Sequence, residues 1–178
     1  MTGGLNFPYV DQPWNLISIY GDDGKYLVPS VKKTLREMRC RHFLSLNFWD
    51  ITDSQYNRVK KKHSGAILFN KDQAQQVVDF IDVIQSEEEE SALVAHCSAG
   101  ISRSGAVGVF ACDYCKLDYN KFMKDNPYLM ANQHVLRLLR ETAGMTPSFV
   151  AHDGIDKEEY ELGTIIMPNG IKKGNRKE

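Results

Sequence analysis

A thiol, two glycines, three serines and an arginine fall within eleven residues, Ala95-His96-Cys97-Ser98-Ala99-Gly100-Ile101-Ser102-Arg103-Ser104-Gly105. Ala92-Leu93-Val94-Ala95 leads in as a short buried strand, and Ala106, Val107, Val109, Phe110 and Ala111 lead out as the apolar face of a helix. A turn that ends at a helix N-terminus aims unpaired backbone N–H groups into one concavity, at the positive end of the helix dipole, and so favours a dianion such as phosphate. Arg103, six positions after Cys97, can close over the same ligand and grip two oxygens with its planar fork. The same field lowers the pKa of the Cys97 thiol toward the thiolate. The anion cradle therefore contains its own nucleophile. Ser104 can donate to the sulfur when it attacks and again when it leaves, while His96, pointing away, stiffens the turn from behind.

The elements that must hold this loop are legible in outline. Asn15 to Tyr20 reads as a strand stopped at Gly21-Asp22-Asp23-Gly24, and Phe43 to Phe48 alternates as a second. From Ser30 the spacing of Val31, Leu35 and Met38 predicts a helix to about Cys40. Ala74, Val77, Val78, Phe80, Ile81 and Ile84 make an amphipathic helix of 72–85. Ser104 to Leu117 is the helix after the loop, with Gly105 and Gly108 allowing close packing on the sheet. Asn120 to Asn126 forms a short helical piece, and Val135, Leu136, Leu138 and Leu139 mark a helix over 131–140. The implied fold class is α/β: a central, mostly parallel sheet flanked by helices on both faces, with the site at the carboxyl ends of the strands.

His96-Cys97-x-Ala99-Gly100-x-x-Arg103-Ser104 resembles the signature loop of the cysteine-dependent protein tyrosine phosphatases, and the short chain resembles their dual-specificity branch. Every fixed position of that motif is filled, and the resemblance covers roughly Leu16 to Ala143. It implies a phosphatase-like fold and hydrolysis of phosphotyrosine, with phosphoserine and phosphothreonine as further esters, through a cysteinyl-phosphate intermediate. Cys97, Arg103 and Ser104 would be catalytic, and Ser98, Ala99, Gly100, Ile101, Ser102 and Arg103 would bind the phosphoryl group. The reaction so implied uses no metal and no cofactor. A phosphate ester also needs its leaving oxygen protonated, by an acid from a separate loop. In the phosphatases that this chain resembles, an Asp just after an upstream strand serves. Asp50 matches that placement best, Asp53 next and Asp72 last. The separation of 47 residues from Asp50 to Cys97 is longer than the family usually has, as an insertion over Ser54 to Phe69 would explain. Asn132 opens a helix resembling the family's last core helix, where it would brace the loop or act as an ordinary N-cap. His134 reads as a surface residue of that helix.

Two other readings stay open: a phosphatase of a non-protein monoester, such as a phosphoinositide, a nucleic-acid 5′ phosphate or a metabolite, and an inactive phosphobinding module. A module would normally have lost the thiol or the arginine. The variable loop positions Ser98, Ile101 and Ser102 include no lysine, which disfavours a polyanionic inositol headgroup.

At 178 residues with 42% hydrophobic residues, the chain is long enough for one domain with a real core. That domain is expected over 1–143, with 144–178 a loosely packed extension anchored by Tyr160, Leu162, Ile165, Ile166 and Met167. The net charge of −1 offers no global field for nucleic acid or membrane. There is no membrane-span-length apolar run and no signal sequence, so a cytoplasmic monomer acting on phosphorylated protein or peptide is expected. Cys40, Cys97, Cys112 and Cys115 fit buried thiols in a reducing compartment better than a disulfide framework or a zinc site. Lys60-Lys61-Lys62-His63 is by default a solvated run. Were it to border the pocket, it would attract an acidic phosphopeptide.

Overall fold

Alternation between two buried faces makes the strands. The computed structural model of the protein describes residues 12–21, 39–145 and 164–167, together with Leu35 and Glu37. In β1 (Trp14–Tyr20) the side chains of Ile17 and Ile19 enter one hydrophobic cluster while Trp14 and Leu16 enter another, and in β3 (Ala92–His96) Leu93 and Ala95 oppose Ala92 and Val94 in the same way. Strand β1 lies between β2 (Cys40–Asn47) and β3, parallel to both. Strand β4 (Thr164–Met167) adds to the far side of β3, antiparallel, giving the order β2-β1-β3-β4. The fourth strand thus comes from the segment read as a loose extension, and Ile165 and Ile166 of that segment pair with Ala95 and Val94. Its Tyr160 and Leu162 lie outside the described residues.

Five helices are defined among the described residues: α1 (Asp53–Lys62), α2 (Lys71–Ser86), α3 (Arg103–Tyr114), α4 (Tyr119–Asp125) and α5 (Gln133–Thr142). The larger core joins one face of the sheet to Val77, Val78 and Ile81 of α2, Val107 and Phe110 of α3, Phe122 of α4 and Val135 and Leu139 of α5. The opposite face is covered in part by Leu35. The arrangement is the expected α/β fold. Every residue of α3 from Arg103 to Cys112 is buried, as a helix surrounded by sheet and other helices requires.

Several expected boundaries move for identifiable reasons. The helix read from Ser30 lies mostly outside the described residues and does not reach Cys40, because Arg39 takes a left-handed φ of 67° and Cys40 already opens β2. Gly105 packs not on the sheet but under the segment before α5, where a Cβ would stand 3.0 Å from Leu129 Cγ. Helix α1 falls in the segment read as an insertion and buries no residue, so no apolar stripe announces it. Among the described residues, no helix is long and apolar enough to cross a membrane.

Candidate active site

The carboxyl ends of β2 and β3 open on the same side of the sheet, next to the β1 and β3 pair where the strand order reverses. From β3 the chain turns through Cys97 to Ser102 and enters α3 at Arg103. Gly100 sits in this turn with φ 69°, a conformation costly to any residue with a Cβ, so the bowl needs glycine there. The turn is held from outside by the segment before α5, whose Met130 N–H donates to Ile101 O (3.2 Å) and Asn132 N–H to Ser102 O (3.1 Å).

Cys97 is buried, with its Sγ 3.2 Å from Ser104 Oγ. Burial alone would push the thiol up. The Ser104 hydroxyl and N–H, the Arg103 charge and the Gly100 N–H outweigh it and hold Cys97 below its ordinary value. Arg103 is only 7% exposed. Its Nη1 donates to Phe48 O and its Nη2 to Ser98 Oγ, both at 3.0 Å. Among the described residues its Nε has no hydrogen-bond partner. The guanidinium is therefore anchored along one edge by a carbonyl at the end of β2, and its other edge holds only an exchangeable hydroxyl. A buried, unspent donor beside a thiol favoured as thiolate fits a bidentate oxyanion.

His96 stands behind the loop, where its Nε2 meets Ser18 Oγ of β1 at 2.9 Å. Its burial lowers its pKa, against a hydrogen bond with the Cys97 backbone that raises it, so the ring favours the neutral form.

The two aspartates after β2 part company. Asp50 Oδ1 accepts from Ser102 Oγ (2.7 Å) and from Asn132 Nδ2 (2.8 Å), which places its exposed carboxylate on the rim of the bowl. Asn132 Oδ1 accepts the Val135 N–H as the N-cap of α5, while its side-chain amide donates to Asp50 and not to the loop. Asp53 turns the other way and pairs with His134 Nδ1 and Arg137 Nη2, each at 2.9 Å. Asp72 lies in the first turn of α2. His134 corrects its surface reading, since it is 6% exposed and its Nε2 bonds Phe69 O at 2.8 Å. Its apolar neighbours in sequence gave no hint of that polar slot.

A family model described as protein-tyrosine phosphatase matches residues 62–143. Over that stretch the chain is similar to the protein-tyrosine phosphatases. The matched stretch includes Cys97, Arg103, Ser104 and Asn132, whereas Asp50 and most of α1 precede it. No curated protein and no solved structure matches the chain significantly. What sequence reading misses around the Cys97 loop is Ser18, Phe48 and Ser102 as partners of His96, Arg103 and Asp50. A strand serine and a backbone carbonyl carry no sequence signal, and Ser102 was read only as part of the bowl.

Proposed function

We propose that this phosphatase hydrolyses phosphotyrosyl residues of proteins in a reducing, cytoplasmic compartment, with phosphoserine and phosphothreonine as secondary esters in the manner of the dual-specificity branch. The observation that carries the reading is the pairing of the Cys97 sulfur, held below its ordinary pKa, with the unspent Nε edge of Arg103. The aryl preference is supported by the rim. Tyr128 and Met130 expose large apolar side chains on the segment bonded to Ile101 and Ser102, a surface suited to an aromatic ring.

The reaction runs in two displacements. Cys97 thiolate attacks phosphorus while Asp50, as the acid, gives its proton to the departing phenolic oxygen, so the P–O bond breaks as the S–P bond forms. The backbone N–H groups of Ser98 to Arg103 and the Arg103 fork hold the three equatorial oxygens, over which charge is spread in the transition state. Water, deprotonated by the now ionised Asp50, then attacks the phosphocysteine and releases inorganic phosphate. Ser104 Oγ stabilises the departing thiolate from its place beside Sγ. Asn132 and Ser102, both donating to Oδ1, keep the carboxyl at the rim through both steps.

The test is a panel of phosphotyrosyl, phosphoseryl and phosphothreonyl peptides, a phosphoinositide, a 5′-phosphorylated oligonucleotide and an aryl phosphate, assayed with wild type, Cys97→Ser, Arg103→Lys and Asp50→Asn. The expected ranking puts the phosphotyrosyl peptide first, with all three variants impaired. Preference for the phosphoinositide or the oligonucleotide would overturn the protein substrate. Binding of phosphopeptide without phosphate release by wild type would make the chain a recognition module.

A further inference from the structure

Helix α1 spans ten residues, none of them buried, so packing does not account for its presence. It is nevertheless pinned at both ends. At its start, Asp53 bonds His134 and Arg137 of α5. Past its end, the His63 ring lies 5.2 Å from that of Trp49, and Trp49 N–H donates to Ile67 O at 2.8 Å. Trp49 is the residue before Asp50. The excursion therefore leaves the sheet just after Asp50 and folds back so that His63, which follows Lys60, Lys61 and Lys62, meets Trp49, the residue before Asp50.

The charges on α1 remain uncompensated. Among the described residues Arg58, Lys61 and Lys62 have no acidic partner, and Lys60 Nζ donates to a neutral carbonyl, Ala66 O, at 3.0 Å. Two arginines elsewhere on the surface are neutralised: Arg41 by Glu87 and Glu89, Arg137 by Asp53 and Glu141. Asp50, just before α1, is occupied by Ser102 and Asn132, and Asp53, its first residue, by α5.

We propose that the basic end of α1 is a docking surface for acidic residues flanking the phosphorylated residue of a protein substrate. An extended chain advances roughly 3.3–3.6 Å per residue, so carboxylates two to four positions from the phosphorylated residue reach past the rim while the ester sits in the bowl. Exposed pairs of this kind add modest affinity and speed encounter, and salt screens them. The proposal rests on the protein-substrate reading above.

Three substrates are compared: a phosphotyrosyl peptide with acidic flanks, the same peptide with its acidic residues changed to the amides, and a small aryl phosphate. The variant Lys60→Ala/Lys61→Ala/Lys62→Ala is expected to lose about tenfold in kcat/KM on the acidic peptide, through KM, at low salt, and to match wild type in about 0.5 M salt. The amide peptide and the aryl phosphate should be unchanged. Lys61→Glu/Lys62→Glu should in addition improve hydrolysis of a lysine-flanked peptide, a gain that a damaged fold cannot produce. Equal losses on all substrates, or no wild-type preference between acidic and amide peptides, would overturn docking while leaving the phosphotyrosyl reading intact. Aryl phosphate turnover with neither peptide hydrolysed would overturn both.

Discussion

At the N-terminal end of α3 the buried Arg103 faces the thiol of Cys97. At the C-terminal end Arg140 and Cys112 repeat those residue types with other neighbours. Arg103 spends its donors on the neutral Phe48 carbonyl and Ser98 hydroxyl, whereas Arg140, 4% exposed, is paired with Asp113. Burial is the largest influence on each thiol. At the C-terminal end it is reinforced: Cys112 rises to about 11, with Asp113 and Asp118 adding to it, and Cys115 to about 12, with Cys112 and Asp82 adding. At the N-terminal end it is overcome by Ser104, Arg103 and the Gly100 N–H. Burial alone thus makes an inert cysteine, and a nucleophile arises only where backbone donors and an uncompensated cation converge.

The sharpest way to break that contrast is to remove each thiol. Cys97→Ser is expected to lower kcat on an aryl phosphate by on the order of 10⁴-fold or more. Cys112→Ala and Cys115→Ala should stay within about threefold of wild type, since neither sulfur enters the reaction. A Cys112→Ala protein that folds yet is equally dead would erase the distinction.

The arginines extend the test. Arg103→Lys keeps a charge but loses the fork, and kcat/KM should fall about 10²- to 10³-fold with little change in melting temperature. Asp113→Asn should do the reverse, costing about 2 kcal/mol of stability by removing the negative charge paired with Arg140 while the rate is retained. Calorimetry and initial rates on the same preparations separate the two.

At the rim, Asn132→Ser retains an N-cap for α5 but cannot reach Asp50. Turnover of phenyl phosphate should drop about tenfold, while an ester with a far more acidic leaving phenol is spared because it needs little proton donation. Equal losses on both esters would reduce Asn132 to a cap.

The smallest effect is a shift in alkylation. Cys97 should react with iodoacetamide at neutral pH and level off below pH 9.0, with Ser104→Ala moving that plateau upward. Cys40, Cys112 and Cys115 should react only as pH approaches about 11, 11 and 12. The linked stability has opposite signs. The contribution of Cys97, whose folded pKa is depressed, is present above its unfolded value and lost as pH falls through the folded one. That of Cys112 and Cys115 is intact below 9.0 and lost as pH rises toward 11 and 12.

The strands and the helices α2, α3 and α5 were legible because each buries a periodic apolar set, Ile17 and Ile19 or Val77, Val78 and Ile81, which the chain must hide. Helix α1 escaped because it buries nothing and rests on end contacts from Asp53 and His63. Strand β4 escaped because its pairing with β3 joins residues some seventy positions apart. His134 misled because a polar residue is buried only where distant partners, here Asp53 and the Phe69 carbonyl, satisfy it.

Sequence alone determined the fold class and the phosphate loop, since the groups that form that bowl lie within consecutive residues from His96 to Ser104 and local backbone chemistry suffices to shape it. Tertiary structure decided which aspartate meets the bowl, what anchors Arg103, and that His63, at the end of α1, lies against Trp49. Each of these joins residues many positions apart, and such contacts follow only from how the elements pack, because spacing along a chain says nothing about which way a loop turns once it leaves its strand.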